Sequence, residues 1–115
     1  MNLLTLRCEQ QAALFAHLRL PLPKAMGDPR EVVLGIRPEH LCLLEKEDAQ
    51  GVRGTVDLVE NLGMSRLLRI KVEGYDLRLR MLLPADQPWS GEAVIFGVPR
   101  DRLHWFDSQT QVRWG

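Results

Sequence analysis

The clearest strand pattern in the chain lies at residues 32–36, where four of the five positions carry branched apolar side chains. Apolar residues at consecutive positions favour a strand that is covered on both faces. Pro38 ends this strand because proline has no N–H to donate to a neighbouring strand, and its fixed φ suits the first position of a helical turn. Leu41 resumes the apolar pattern. We therefore expect a strand, a rigid one-turn corner and a second strand.

The beginning of the chain has a less regular pattern. Two extended segments are predicted, residues 3–8 and residues 13–20, joined by a polar turn. Residues 12–18 also fit a helix, and the apolar spacing alone leaves that alternative open. Because the residue before a proline is pushed towards extended geometry, Pro21 disfavours a continuing helix, and we predict a strand.

From residue 52 onward, after a charged loop at residues 45–51, apolar and polar positions alternate as in a strand with one buried face. The side chains predicted to face inward are Val52, Val56 and Leu58. The alternation slips between Leu58 and Val59, which predicts a bulge or a corner. Residues 68–72 and 77–81 then alternate on either side of Gly74, which is the pattern of a hairpin.

A last apolar strand is predicted at residues 94–98. Its exit, residues 97–103, approximately repeats the order of residues 35–41: a glycine, a branched apolar residue, a proline, an acidic residue and a leucine. Short strands separated by turn residues, with the same type of corner twice, favour an all-β fold. We expect a small closed barrel with short one-turn helical corners.

The composition narrows the functional classes. A chain of 115 residues is the size of one domain, and we expect a single domain over residues 1–115. Lys+Arg and Asp+Glu both number 15, so no net field attracts nucleic acid or an anionic membrane. Cys8 and Cys42 are too few for a disulfide framework, which favours a reducing compartment and predicts two small core residues. We see no secretion signal and no apolar run long enough to span a bilayer, and therefore expect a soluble chain.

The sequence contains no recognisable catalytic or metal-binding motif. It lacks the GxxxxGK[ST] phosphate loop, the HExxH and paired-cysteine zinc motifs and the GxSxG nucleophile motif. His40 and His104 would meet if the two corners lay side by side, but two histidines alone make a weak metal site. The aromatic residues do not alternate with basic ones along a strand, which disfavours binding of single-stranded nucleic acid.

Arginine is frequent in the hairpin and near the second corner. The residues concerned are Arg66, Arg69, Arg78, Arg80, Arg100 and Arg102. Guanidinium groups suit an anion-binding face, but the interleaved acidic residues favour a neutralised, solvated face. Trp105 and Phe106 are adjacent and must point in opposite directions in a strand. One of them is expected in the core, and an exposed tryptophan would suit an interface.

Four segments resemble, in order, motifs of the C-terminal regulatory domain, called the TOBE domain, of the ATP-binding subunit of ABC importers. The similarity is to the maltose, sugar and glycerol-phosphate group. The segments are residues 35–41 (GIRPEHL), 59–63 (VENLG), 91–94 (GEAV) and 99–107 (PRDRLHWFD). The resemblance covers residues 30–107 well and the N-terminal strands of residues 1–29 poorly, and it leaves residues 108–115 as a tail. Asp101 stands where the family usually has glutamate, which preserves the charge.

The resemblance implies a barrel of the OB type, similar to MOP-like domains, that sits behind a nucleotide-binding domain and pairs with the same domain of a partner subunit. The implied partners are that nucleotide-binding domain, the membrane permease subunits and, in some members, a regulatory protein or small ligand. No nucleic acid and no direct membrane insertion are expected. No cofactor is expected in this chain, because ATP and Mg²⁺ would bind the absent domain. The implied location is the cytoplasm, peripheral to the inner membrane.

The leading hypothesis is a non-catalytic regulatory and dimerisation domain of an importer's ATP-binding subunit. The alternative is a sensor for a small ligand, either an oxyanion or a sugar phosphate. We expect no catalytic, nucleotide-binding or metal-binding residue. The candidate contacts with a partner or ligand are Arg37, His40, Arg66, Arg100 and Trp105.

Overall fold

The computed structural model of the chain describes residues 1–44, 50–89 and 91–108. In those residues it is all-β, as predicted, with ten strands and two single 3₁₀ turns. The strands form two five-stranded sheets, and each sheet lies within one of two compact units. Unit 1 comprises Met1–Ile36 and the segment from Arg100 onward, and unit 2 comprises Arg37–Pro99. That the whole chain is one domain stays a prediction.

The sheet of unit 1 is antiparallel throughout. Its strands are β1 (Asn2–Glu9), β2 (Ala12–Phe15), β3 (Leu18–Pro21), β4 (Glu31–Ile36) and β10 (His104–Asp107). Their order is β10-β4-β1-β2-β3, which places β4 between two neighbours. Leu34 pairs with Leu4 on one side and with Trp105 on the other. Residues 32–36 are all buried, as their unbroken apolar pattern predicts.

The single strand predicted at residues 13–20 is wrong, because the chain turns in its middle. β2 and β3 form a hairpin, and Ala16 in its turn has a φ of 55°. Such left-handed turn positions usually carry glycine, asparagine or aspartate, so an alanine there concealed the turn. The helical alternative for residues 12–18 is not realised. The predicted polar turn before β2 is confirmed, with Gln10 and Gln11 at φ values of 50° and 60°.

A one-turn 3₁₀ helix at Lys24–Met26 precedes β4 in unit 1, and the sequence pattern did not predict it. The corner after β4 is confirmed in unit 2, where a 3₁₀ turn spans Pro38–His40 and follows an extended Arg37. We call it the Pro38 turn. The second corner is a plain turn without a 3₁₀ helix, so the two corners share residue order but not backbone conformation.

The sheet of unit 2 is also antiparallel. Its strands are β5 (Cys42–Leu43), β6 (Gly51–Asn61), β7 (Ser65–Val72), β8 (Arg78–Pro84) and β9 (Ala93–Gly97), in the order β5-β9-β6-β7-β8. The predicted hairpin is confirmed as β7 and β8, with Gly74 in its turn at a φ of 82°. Its alternate residues are buried, namely Leu68, Ile70, Val72, Leu79, Met81 and Leu83.

A bulge is present in β6 as predicted, but it lies before Leu58 and not between Leu58 and Val59. The register between β6 and β7 shifts between Val56 and Leu58, so Asp57 is the extra residue. Leu58 therefore pairs with Arg69 and is 43% exposed, and the prediction that it faces inward is wrong. Val59 takes the position opposite the buried Leu68.

The two cysteines are free. We expected both to be small core residues, but neither is fully buried. Cys8 is half-buried and Cys42 is exposed. Two predicted segments lie mostly outside the described residues. Only Gln50 and Gly51 of the charged loop and Ser108 of the tail are described. No helix in the described part of the chain is long and apolar enough to cross a membrane.

Candidate functional site

Two of the predicted contact residues lie at the Pro38 turn: Arg37 precedes it and His40 ends it. Arg37 is exposed, and its carbonyl oxygen accepts a hydrogen bond from the His40 backbone N–H at 3.0 Å. Glu39 lies in the first turn, where a carboxylate complements the partial positive charge of the free N–H groups. The turn packs against β8, and the buried His40 Nδ1 has no hydrogen-bond partner among the described residues.

Arg66 holds the loop that connects β8 to β9. Its guanidinium group donates a hydrogen bond to the carbonyl oxygen of Gln87 and lies 6.0 Å from the centre of the Trp89 ring. This distance is at the outer limit of a cation–π contact. Two neighbouring donors, Arg66 Nε and Trp89 Nε1, are buried without a partner in the described residues. Arg66 therefore positions the loop through its side chain instead of standing in solvent as a free contact.

A cleft of about 920 Å³ lies beside this loop, within unit 2. The loop contributes Gln87, Pro88 and Trp89, strands β6, β7 and β9 contribute most of the rest of the lining, and residues 43–44 and the β7–β8 turn complete it. Its charged side chains are Arg53, Lys71 and Glu73. The mixture of an aromatic ring, both signs of charge and apolar side chains is typical of a general binding cleft and selects no particular ligand.

The other two predicted contacts, Arg100 and Trp105, lie in unit 1. Arg100 is exposed, and its Nη1 donates to the carbonyl oxygen of Arg19 at 3.5 Å. Trp105 is 6% exposed, which corrects the suggestion of an exposed tryptophan at an interface. Phe106, its neighbour in β10, is half-buried and lies near Gly35. Of the five predicted residues, Arg37, His40 and Arg66 thus lie in unit 2, and Arg100 and Trp105 lie in unit 1.

A cluster of charged residues on β6, β7 and β8 is better organised than the predicted set. Asp57, at the bulge, accepts hydrogen bonds from Arg69 Nε and Arg78 Nε, both at 2.7 Å. These two hydrogen bonds, and then the two positive charges, lower the pKa of the Asp57 carboxyl group. The same contact raises the pKa of Arg78. The carboxylate therefore stays ionised while it bridges two strands.

The six arginines of the hypothesised anion-binding face separate in the structure. Arg69, Arg78 and Arg80 share the outer face of β7 and β8, where Arg69 lies opposite Arg80. Arg66 lies on the other face of the hairpin, opposite the buried Leu83. Arg100 and Arg102 belong to unit 1. The hairpin predicted around Gly74 could have indicated that Arg69 lies opposite Arg80. The contact of Asp57 was missed because it depends on the bulge.

Other types of site receive no support from the geometry. Among residues 1–44, 50–89 and 91–108, no group of three or more His, Cys, Asp or Glu side chains is arranged to hold a metal ion. The pKa of the Cys8 thiol is raised, chiefly by burial and then by the charges of Asp28 and Glu31. Because the thiolate is the nucleophilic form, this environment makes Cys8 less reactive.

Comparison with known proteins identifies two family models. The model described as "TOBE domain" matches residues 34–106, and the model described as "MalK OB fold domain" matches residues 1–41. The second match covers the N-terminal strands, where the motif resemblance is poor. Together the two matches extend over both sheets.

Curated relatives share similar sequence over part of their length. The sn-glycerol-3-phosphate import ATP-binding protein UgpC of Ruegeria pomeroyi is 39% identical over 71% of this chain and 23% of its own length. The protein of the same name from Paraburkholderia xenovorans is 37% identical over 93% of this chain and 32% of its own length. That of Burkholderia cenocepacia is 33% identical over the whole chain and 34% of its own length. The chain thus spans 23% to 34% of the length of these relatives.

Proposed function

The chain belongs to the TOBE domain family, and we propose that it is the regulatory and dimerisation domain of the ATP-binding subunit of an ABC importer. The observation that carries the proposal is the TOBE match over residues 34–106, which includes three of the four motifs whole and most of the fourth. The relatives are named as import ATP-binding proteins. That the chain is a TOBE domain with an OB fold follows from the two family matches themselves.

The domain acts by contact and not by catalysis under this proposal. The matched segment is 23% to 34% of each relative cited above, so most of each ATP-binding protein lies outside it. The proposed partners are a second copy of this domain, a nucleotide-binding domain, membrane permease subunits and, in some members, a regulatory protein. The proposed location is the cytoplasmic side of the inner membrane. ATP and Mg²⁺ are assigned to the nucleotide-binding domain, and nucleic acid is not a proposed partner.

Exposed apolar side chains at one end of unit 2 support the proposed pairing. We define the tip cluster as Leu62 and Met64, in the turn between β6 and β7. Met64 is 92% exposed and Leu62 is 54% exposed. Exposed apolar residues grouped together, unlike ones scattered singly, mark surfaces that a partner covers. We assign the tip cluster to the contact with the second copy.

Light scattering coupled to size-exclusion chromatography tests the pairing. The 115-residue chain should elute with the mass of a dimer at high protein concentration. Leu62→Ser with Met64→Ser should weaken the dimer at least tenfold, because a second copy would no longer cover apolar surface. The matched control is Met1→Ser with Leu3→Ser, which removes exposed apolar side chains from unit 1. A chain that stays monomeric at every concentration would contradict the proposed dimer.

An ATP titration of the same chain tests its non-catalytic role. We expect neither ATP binding by calorimetry nor release of phosphate. Hydrolysis by this chain alone would overturn the proposal, because it would place a nucleotide site inside the matched segment. Calorimetry with molybdate, sulfate, phosphate and sugar phosphates tests the small-ligand alternative, which the comparisons do not favour. Tight binding of one of these anions would restore that alternative.

A further inference from the structure

Met64 is the most exposed of the four methionines. It is 92% exposed, whereas Met1 is 57% exposed, Met26 is half-buried and Met81 is fully buried. The sulfur of Met1 also lies against β4, 2.9 Å from the place that a Cβ at Gly35 would take. Because an oxidant must reach the thioether sulfur, this order of exposure predicts that Met64 is oxidised first.

Hydrogen bonds hold the backbone of the turn that carries Met64. The backbone N–H of Leu62 donates to the carbonyl oxygen of Ser65 at 2.8 Å. The carbonyl oxygen of Met64 itself accepts a hydrogen bond from the Ala85 N–H at 3.0 Å, which connects the turn to the loop after β8. The side chain of Met64 is therefore exposed on a bonded backbone, and an oxidant reaches its sulfur without opening the turn.

Oxidation of Met64 by a peroxide is a transfer of one oxygen atom. The sulfur lone pair attacks a peroxide oxygen, the S–O bond forms as the O–O bond breaks, and hydrogen peroxide leaves as water. The thioether is oxidised by two electrons, and the peroxide is reduced by two. Methionine sulfoxide reductases reverse the step. In that reverse step two thiols become a disulfide, and the oxygen leaves as water.

The sulfoxide changes the chemistry of the tip cluster. Leu62 and Met64 are apolar, and the proposed contact with a second copy would cover both of them. A sulfoxide oxygen is polar, so covering it without a hydrogen-bond donor costs free energy. Pairing and oxidation therefore oppose each other, because a second copy would also shield the Met64 sulfur from peroxide.

We propose that Met64 is a reversible oxidation site, and that its conversion to the sulfoxide by peroxide weakens the pairing of two copies of this domain. The effect on pairing rests on the proposed function, because it takes the tip cluster as the contact between copies. The preference of peroxide for Met64 rests on the exposure of its side chain alone.

Mass spectrometry after limited treatment with hydrogen peroxide tests the site. Trypsin places each methionine on a separate peptide, namely residues 1–7, 25–30, 54–66 and 81–100. In the dilute, monomeric chain we expect Met64 to be oxidised about twofold faster than Met1 and at least about tenfold faster than Met81. In urea the four rates should converge. Faster oxidation of Met1 or Met26 than of Met64 in the folded chain would overturn the site.

Light scattering before and after peroxide treatment tests the effect on pairing. A thiol reductant added after the peroxide keeps Cys8 and Cys42 out of disulfides. Oxidation should weaken the dimer about tenfold, because an unpaired polar oxygen would be covered, and methionine sulfoxide reductase should restore it. The matched control is Met64→Leu, which keeps an apolar side chain and should pair equally well before and after treatment. An equal loss in this variant would overturn the role of Met64.

The dependence of the oxidation rate on protein concentration separates this inference from the proposed function. Where the dimer prevails, oxidation of Met64 should slow about threefold or more, because the second copy covers its sulfur. An unchanged rate in a chain that does pair would overturn the effect on pairing and leave the dimer standing. A chain that never pairs would contradict the proposed dimer, while the order of oxidation rates in the monomer would still decide whether Met64 is the site.

Discussion

Two interior strands, β4 of unit 1 and β7 of unit 2, differ in which of their faces are buried. In unit 1, β4 is buried at every position from Val32 to Ile36, and its neighbours β1 and β10 cover its edges. In unit 2, β7 alternates between buried apolar residues and the exposed or half-exposed Arg69 and Lys71. A strand buried on both faces contributes packing, whereas one with a charged face also contributes chemistry. The candidate binding surface therefore belongs to unit 2.

The largest expected effect comes from the strand that is buried on both faces. Leu34→Ala should reduce the free energy of unfolding by about 2 to 5 kcal/mol, because Leu34 is fully buried between Leu4 and Trp105 and its truncation leaves a cavity. Urea denaturation measures the change. Leu3→Ala, at a 56% exposed position of β1, is the control and should change it by less than about 0.5 kcal/mol.

Alanine substitutions at Gly54 and Gly35 compare how closely neighbouring atoms approach the backbone in the two units. A Cβ at Gly54 would lie 2.4 Å from Ile70 Cγ2 and 2.8 Å from the Lys71 carbonyl oxygen. Gly54→Ala should therefore cost about 1 to 3 kcal/mol, since the β6–β7 backbone must move. At Gly35 the nearest atoms are Met1 Sδ at 2.9 Å and Phe106 Cε2 at 3.0 Å, both in side chains. Gly35→Ala should cost less, and an equal or larger cost in urea denaturation would show that unit 1 is the more tightly packed.

Removing the contacts of Arg66 should destabilise the loop between β8 and β9. Arg66→Leu removes the hydrogen bond to the Gln87 carbonyl oxygen and the charge above Trp89, so the free energy of unfolding should fall by about 1 kcal/mol. The emission of Trp89 should change, which comparison with a Trp89→Phe background isolates from the other tryptophans. An unchanged spectrum would mean that Arg66 does not position the ring.

The smallest expected effect concerns pH. The pKa of Asp57 is lowered in the folded state by its hydrogen bonds to Arg69 and Arg78, so its contribution to stability is present above the pKa of the unfolded chain. That contribution is lost as the pH falls towards the lowered pKa. Asp57→Asn should therefore reduce the free energy of unfolding at neutral pH. In the acid range, that free energy should vary less with pH than it does in the unchanged chain. Parallel stability curves for Asp57→Asn and the unchanged chain in acid would contradict this role.

Sequence patterns predicted the parts of the fold that follow a regular period. The unbroken apolar run gave β4, alternation around Gly74 gave the β7–β8 hairpin, and Pro38 located the one-turn corner. The hairpin at Ala16 was missed because alanine is not a typical left-handed turn residue. Leu58 was placed inward because the position of the bulge within β6 is set by its pairing with β7 and not by its own sequence.

The candidate site was harder to predict because it depends on pairing between strands. The separate arginines were visible, but the opposition of Arg69 with Arg80 requires the exact hairpin register. The bridge from Asp57 requires both that register and the bulge. Trp105 was a reasonable interface candidate from composition, yet the position of β10 beside β4 buries it.

Domain exchange tests the central claim most directly. The segment of a sn-glycerol-3-phosphate import ATP-binding protein that matches this chain would be replaced by residues 1–115, and import of labelled glycerol 3-phosphate would be measured in cells that lack the original subunit. We expect the chimera to import substantially faster than a subunit truncated before that segment, and the chimera carrying Leu34→Ala to lose this gain. Import no faster than with the truncated subunit, from a chimera present at normal abundance, would contradict the claim that this chain is the regulatory and dimerisation domain of such a subunit.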